Sequence, residues 1–179
     1  MSKYSNNLIS TVLSLSSSKE WGTAVEEWSI VSCSEDRSCT TRCVCGKEGL
    51  RYLFRLRNDI TGNILFPIGS SCINKFGRKS LMEEASVRES LFKLLHAVEE
   101  NRYVQLNSDF FSRKLLKYLY IKGAFPPNQY NKGIGYNDYQ FMLDMFNKRT
   151  RITDAQRRKV SAILVNSILP YLRSTLEVS

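Results

Sequence analysis

Strand-like periods in the N-terminal part of this chain give way to helical ones beyond Gly77. Leu8, Ile9, Val12, Leu13 and Leu15 fall at near-helical spacing and predict a short amphipathic helix over residues 6–17. Trp21 to Ile30 mixes apolar and acidic residues and reads as a strand leading into the next segment. Residues 33–45 read as a loop rich in Ser, Thr and Cys. LRYLFRLR at 50–57 then alternates, with Leu50, Tyr52, Phe54 and Leu56 on one face and Arg51, Leu53, Arg55 and Arg57 on the other. A period of two is a strand. Asn58 to Gly62 forms a turn in which Gly62 accepts positive φ. Ile64, Leu65 and Phe66 return and stop near Pro67, which closes a β-hairpin over 50–67. Ser70 or Ser71 caps a short helix carrying Cys72.

The remaining pattern is helical. Leu81, Ala85, Leu91, Phe92, Leu94, Leu95 and Val98 form one broad apolar stripe over 80–100. Ser108 caps a helix over 109–121 that Gly123 ends. Residues 124–136 form a loop. Asn137 with Gln140, and Thr153 with Gln156, have capping-box spacing. They open helices over 138–148 and 154–169, the second ending near Pro170. The fold class is α+β, with a hairpin module in residues 1–78 and an α-helical bundle in residues 79–179.

The 42% apolar fraction, with nine Phe and nine Tyr, supports a folded core over disorder. The N-terminus is neither a secretory signal nor a membrane span, since Ser and Thr interrupt LISTVLSLSSS. The expected location is therefore a reducing cytoplasm. That context changes the meaning of the five cysteines, Cys33, Cys39, Cys43, Cys45 and Cys72, because clustered thiolates there bind zinc more often than they pair. Cys43-Val44-Cys45-Gly46 makes a tight pair, the hairpin carries the chain out and back, and Cys72 arrives at a helix start that favours a thiolate. Knuckle, hairpin and helix-borne ligand form a treble-clef-like module. A structural zinc takes four ligands. Cys39, Cys43, Cys45 and Cys72 are the expected set, with Cys33 as the alternative to Cys39. His96 reads as an ordinary helix residue.

Net charge is +9 with a pI near 9.4, and most of the excess lies C-terminal to residue 103. This favours an acidic partner. The basic groups are Arg51, Arg55 and Arg57 on the hairpin, then Arg113, Lys114, Lys117 and Lys122 on one helix. The last comprises Lys148, Arg149, Arg151, Arg157, Arg158 and Lys159, where a turn and a helix start crowd the cations. Nucleotide-binding, zinc-protease and serine-hydrolase motifs are missing, so the chain reads as a binding protein and not an enzyme. Gly133-Ile134-Gly135 reads as a turn. Tyr118, Tyr139, Phe141 and Phe146 fall at core spacing, not as a stacking platform for single strands.

Cys43, Cys45, Gly46, Asn58, Thr61, Gly62, Gly69, Ser70, Cys72, Ile73, Lys75 and Phe76 stand in a pattern that resembles small proteins encoded by phages and prophages of Gram-positive bacteria. Gly123-Ala124-Phe125, Tyr130-Asn131, Asp138-Tyr139 and the MFNKR run extend the resemblance over most of the chain. Within that group the chain resembles zinc-containing type II anti-CRISPR proteins. The resemblance implies an inhibitor in the cytoplasm of the bacterial host. Such an inhibitor binds an RNA-guided type II Cas nuclease and blocks target-DNA loading or cleavage. The basic charge implies docking on an acidic patch of the nuclease or on its guide RNA, and not imitation of DNA. The alternative is a zinc-stabilised nucleic-acid-binding accessory protein of phage replication or recombination.

Overall fold

A computed structural model describes residues 2–100 and 106–178. The chain divides into two compact units, Met1–Glu89 with Glu177–Ser179, and Ser90–Leu176. The architecture is α+β, as the periodicity predicts.

The first unit is built on a sheet. Helix α1 (Lys3–Leu15) begins three residues ahead of the expected start, because the Ser2 hydroxyl accepts the Ser5 N–H at 3.3 Å and caps it. It buries Leu8 and Val12. The short helix α2 (Trp21–Ala24) and a 3₁₀ turn over Val25–Glu27 occupy most of the segment expected to be a strand. Strand β1 (Trp28–Glu35) starts only at Trp28 and runs through Cys33, so the expected loop is shorter at its N-terminal end. β2 (Tyr52–Asn58) and β3 (Ile64–Ile68) form the expected hairpin. β1, β2 and β3 are antiparallel neighbours, and β4 (Glu177–Val178) lies parallel on the far side of β1, giving the order β3-β2-β1-β4. β3 continues through Pro67 to Ile68. It is an edge strand, where the missing proline N–H is tolerated.

One buried carboxylate ties the sheet to the helix before it. Glu27 is buried and accepts the N–H groups of Ser17 and Ser18 at 2.8 Å each and the Asn58 amide at 2.7 Å. The Asn58 side-chain Oδ1 in turn accepts the N–H groups of Ile60 and Thr61, which shapes the hairpin turn. Trp28, fully buried, donates its indole N–H to the Ser16 hydroxyl at 2.9 Å. These bonds explain Asn58 in the motif, and the Thr61 hydroxyl adds one to the Leu15 carbonyl at 3.1 Å.

Helix α3 (Ser70–Asn74) follows β3 directly. Its cap position is Gly69 and carries no side-chain bond, so neither Ser70 nor Ser71 acts as the cap. A β-carbon at Gly69 would come within 2.8 Å of the Leu50 Cδ2, so any side chain there requires Leu50 to shift. Helix α4 (Lys79–Glu99) belongs to both units, the division falling at Glu89 instead of the expected residue 78. Its first half is held to the sheet side. Arg78 donates to the carbonyls of Val25 and Trp28 and pairs with Glu26 at 3.1 Å, and Arg88 and Glu89 act on Cys33 of β1.

The second unit is helical. α5 (Arg113–Ile121) starts at Ser112, whose hydroxyl accepts the Leu115 N–H at 3.0 Å. The expected cap, Ser108, lies instead in a turn closed by the Phe111 N–H on the Asn107 carbonyl. Gly123 ends α5 at φ +82, as predicted. α6 (Gly135–Asn147) opens three residues early because Asn137 donates to the Asn131 carbonyl and does not cap. α7 (Asp154–Ile163) has the predicted Thr153–Gln156 capping box. It does not stop at Pro170. A π-helical turn over Leu164–Ile168 widens the helix, and α8 (Leu169–Thr175) carries Pro170 in its first turn, where no N–H is required.

Donation by Asn58, reinforced by the two serine N–H groups, holds the Glu27 carboxyl below its usual range. A depressed folded pKa stabilises the protein above the unfolded value near 4.3, and that contribution is lost as pH falls. Wild type and Glu27→Gln should therefore differ in thermal midpoint at pH 7 and converge below about pH 4. Asn58→Ala removes three hydrogen bonds and should cost on the order of 2–3 kcal/mol in denaturant unfolding.

Candidate metal centre

The Cys-x-Cys segment is folded into a tight knuckle. The Gly46 N–H returns to the Cys43 carbonyl at 2.7 Å and the Cys43 N–H reaches the Lys47 carbonyl at 2.8 Å. Gly46 has φ +94, a conformation that favours glycine. The knuckle is fastened to the sheet by one backbone bond, from the Val44 N–H to the Pro67 carbonyl at 2.9 Å. It is fastened to α1 by the Asn7 amide, which donates to the Cys45 carbonyl at 3.1 Å. The chain then leaves through β2, returns through β3 and delivers Cys72 on α3.

The sulfur atoms of Cys43, Cys45 and Cys72 consequently lie within 4.8 Å of one another, and all three residues are buried. The Cys43 and Cys72 sulfurs lie 3.7 Å apart, within hydrogen-bond reach of one another. That bond pulls the Cys43 thiol well below its ordinary range, helped by the N–H groups of Cys45 and Gly69. The same bond pushes Cys72 up, because Cys72 keeps the shared proton. Backbone N–H groups aimed at a sulfur are what a metal-bound thiolate requires. The three sulfurs adjoin a cavity of about 190 Å³, which Tyr52, Ser70, Ser71 and Glu89 also line. This group can hold a metal ion.

The structure thus brings together three of the four expected ligands. Cys39 lies outside the group. It is exposed at φ +53, with its sulfur near the carbonyls of Asp36 and Arg37. The loop from Ser38 to Thr41 is wrapped around the Asp36 carboxylate, which accepts the N–H groups of Ser38, Thr40 and Thr41 and the hydroxyls of Ser38 and Thr41. Led by the Ser38 hydroxyl, these donors hold the Asp36 carboxyl far below its usual range. The sequence signal for this loop was the Asp-x-Ser-x-Thr-Thr spacing, which suits local capping of a carboxylate. The alternative ligand, Cys33, lies on β1, where burial pushes its thiol up to about 12. His96 lies on α4, 4.0 Å from the Glu99 carboxylate.

The basic residues separate in a way the sequence did not show. Lys148, Arg151 and Arg157 line one cavity of about 580 Å³ in the second unit, with Phe146, Ile152 and Val160 as its apolar part. Lys148 donates to Gln156 at 2.9 Å and Arg157 approaches Asp154 at 4.0 Å. Arg158 and Lys159 line a different cavity of about 690 Å³. There Lys159 sits 4.0 Å from the buried Asp138 carboxylate and 4.4 Å above the Phe141 ring. Arg149 is exposed and lines neither. Arg113, Lys114 and Lys117 are on α5. The hairpin cations are engaged locally, Arg51 with Glu35 at 2.8 Å and Arg55 over the Phe66 ring at 4.1 Å.

Among the described residues, no helix is long and apolar enough to cross a membrane. No protein-family model matches the chain, and no curated protein or solved structure matches it.

Metal analysis of purified variants checks the ligand set. Cys43→Ser, Cys45→Ser and Cys72→Ser should each lose bound metal, whereas Cys39→Ser and Cys33→Ser should keep about one equivalent. Loss of metal in Cys39→Ser would mean that the Asp36 loop opens to supply a fourth sulfur.

Proposed function

We propose that the chain is a phage-encoded inhibitor of a type II CRISPR effector nuclease, stabilised by one structural zinc ion and docking through a basic cavity in its second unit. The zinc part is supported by the donor chemistry. Three buried sulfurs, one already drawn toward thiolate by the Cys72 side chain and by N–H groups, form a soft set that suits zinc better than calcium or magnesium. Bound zinc holds the knuckle, the hairpin and α3 together and so stabilises the fold. Cys43, Cys45 and Cys72 would hold it, beside a cavity lined by Tyr52, Ser70, Ser71 and Glu89.

The docking part rests on one observation, the convergence of Lys148, Arg151 and Arg157 around a single cavity. Three cations over an apolar floor fit an acidic protein side chain on an apolar stem, and a guanidinium can take a carboxylate through two parallel bonds. The identity of the target as a Cas nuclease comes from the resemblance carried by Cys43, Cys45, Gly46, Gly69, Ser70 and Cys72. Within the basic cluster, Lys159 is committed to Asp138 and Phe141, whereas Lys148, Arg151 and Arg157 face one shared cavity.

A gel shift with guide-loaded nuclease and labelled duplex target DNA tests the reading. The protein should abolish the nuclease–DNA complex and should not shift the duplex by itself. Combined Arg151→Glu and Arg157→Glu should weaken inhibition at least tenfold with the thermal midpoint kept, and added salt should weaken the wild type. A shift of the duplex by the protein alone, with the nuclease complex intact, would retire the inhibitor reading.

A further inference from the structure

An exposed strip shared by α5 and α6 uses none of the residues of the cysteine group or of the basic cavity. On α5, Arg113, Lys117 and Tyr120 recur at i, i+4 and i+7 and share one face. Leu115, Leu116 and Leu119 are buried on another. On α6, Tyr136, Gln140, Leu143 and Asn147 repeat the same spacing. Two contacts lay the strips side by side and antiparallel. At one end Arg113 donates to the Asn147 side chain at 2.8 Å. At the other the rings of Tyr120 and Tyr136 meet at 5.7 Å, edge to face. Tyr139 completes the cluster, stacked on Tyr120 at 4.8 Å and 15° and lying 5.9 Å from Tyr136.

Of these three rings only Tyr139 is among the aromatics expected at core spacing, and it is half-buried against Tyr120. Tyr120 is 37% exposed and Tyr136 48%. Just before Tyr136 the chain packs closely on the preceding loop, where a β-carbon at Gly135 would overlap the Phe125 carbonyl oxygen at 2.0 Å. The electrostatics are one-sided. α5 has no acidic residue. On α6, Asp138 is buried and bonded to Asn131, and Gln140 holds Asp144 at 2.9 Å. Exposed rings continuing into cations one and two turns along a helix match a ligand with flat apolar faces joined by regularly spaced negative charges. A duplex hides its base faces, and an acidic protein surface has no flat group for the rings. The geometry points to a binding strip for single-stranded nucleic acid, in which bases stack on Tyr120 and Tyr136 and Arg113 and Lys117 take the phosphates. The strip stands independently of nuclease inhibition.

Fluorescence anisotropy with labelled strands of about 12 nucleotides, DNA and RNA, tests it against the duplex of the same sequence. The single strand should bind at least tenfold more tightly than the duplex. Tyr136→Ala should weaken binding roughly tenfold, while Tyr136→Phe, which keeps the ring, should not. Lys117→Gln should lower the slope of log affinity against log salt by about 0.7, and Lys79→Gln, exposed in the first unit, should leave it unchanged. Thermal melting of each variant checks that it is folded. A folded protein that binds no single strand at low salt overturns the proposal and leaves the strip to a protein partner. Equal affinity for duplex, or full affinity in folded Tyr136→Ala, overturns it as well. Loss of nuclease inhibition alone would bear on the basic cavity and not on this strip.

Discussion

The first unit depends on bringing three sulfurs together from two places in the chain. Cys43 and Cys45 precede the hairpin and Cys72 follows it, so the group forms only if β2 and β3 pair in the observed register. The Val44 bond to Pro67 ties the knuckle to the strand that leads into α3. Gly69 lets the strand-to-helix corner pass under Leu50. Asn7 on the Cys45 carbonyl and Lys75 on the Ser5 hydroxyl then place α1 against the same corner. An ion held by all three sulfurs would link knuckle, hairpin and α3 at one point, more tightly than the single 3.7 Å contact between Cys43 and Cys72.

A second constraint organises the helical unit. Asp138 is buried on α6 and accepts the Asn131 amide at 2.8 Å, with Asn128 at 3.4 Å and the Lys159 ammonium at 4.0 Å. The first two fix the loop before α6, and the third ties α7 to α6. Lys159 is thereby used inside the fold. Arg157, two residues earlier, points to a different side of α7 and joins Lys148 and Arg151. One buried carboxylate thus sorts a run of basic residues into a tie and a surface.

Sequence periodicity revealed what local physics controls. The β2–β3 hairpin, the Thr153–Gln156 box and the Gly123 stop depend on residues a few positions apart, and each stands as read. Cys43, Cys45 and Cys72 were legible for the same reason, since knuckle and helix start are local features. Cys39 misled because spacing says nothing of the Asp36 carboxylate that gathers its loop. Asn137 misled because a better acceptor, the Asn131 carbonyl, lies on the preceding turn. Pro170 misled because it falls in the first turn of α8, where no N–H is required. The tyrosine cluster was hidden altogether, as helical spacing marks a face but does not say whether a neighbour covers it.

The two cationic surfaces differ in their dependence on water. Arg113 and Lys117 are exposed, so ions within a Debye length of about 8 Å at physiological salt screen them strongly. Lys148 and Arg157 are half-buried beside Phe146 and Val160, where the effective dielectric is lower and screening weaker. A ligand on the strip must therefore gain much of its binding from ring stacking, which salt leaves largely intact, with its ionic part fading first. A carboxylate in the cavity keeps more of its ionic attraction but must shed water to enter. Shape thus decides which acidic group each surface holds, even though both draw on the same excess of positive charge.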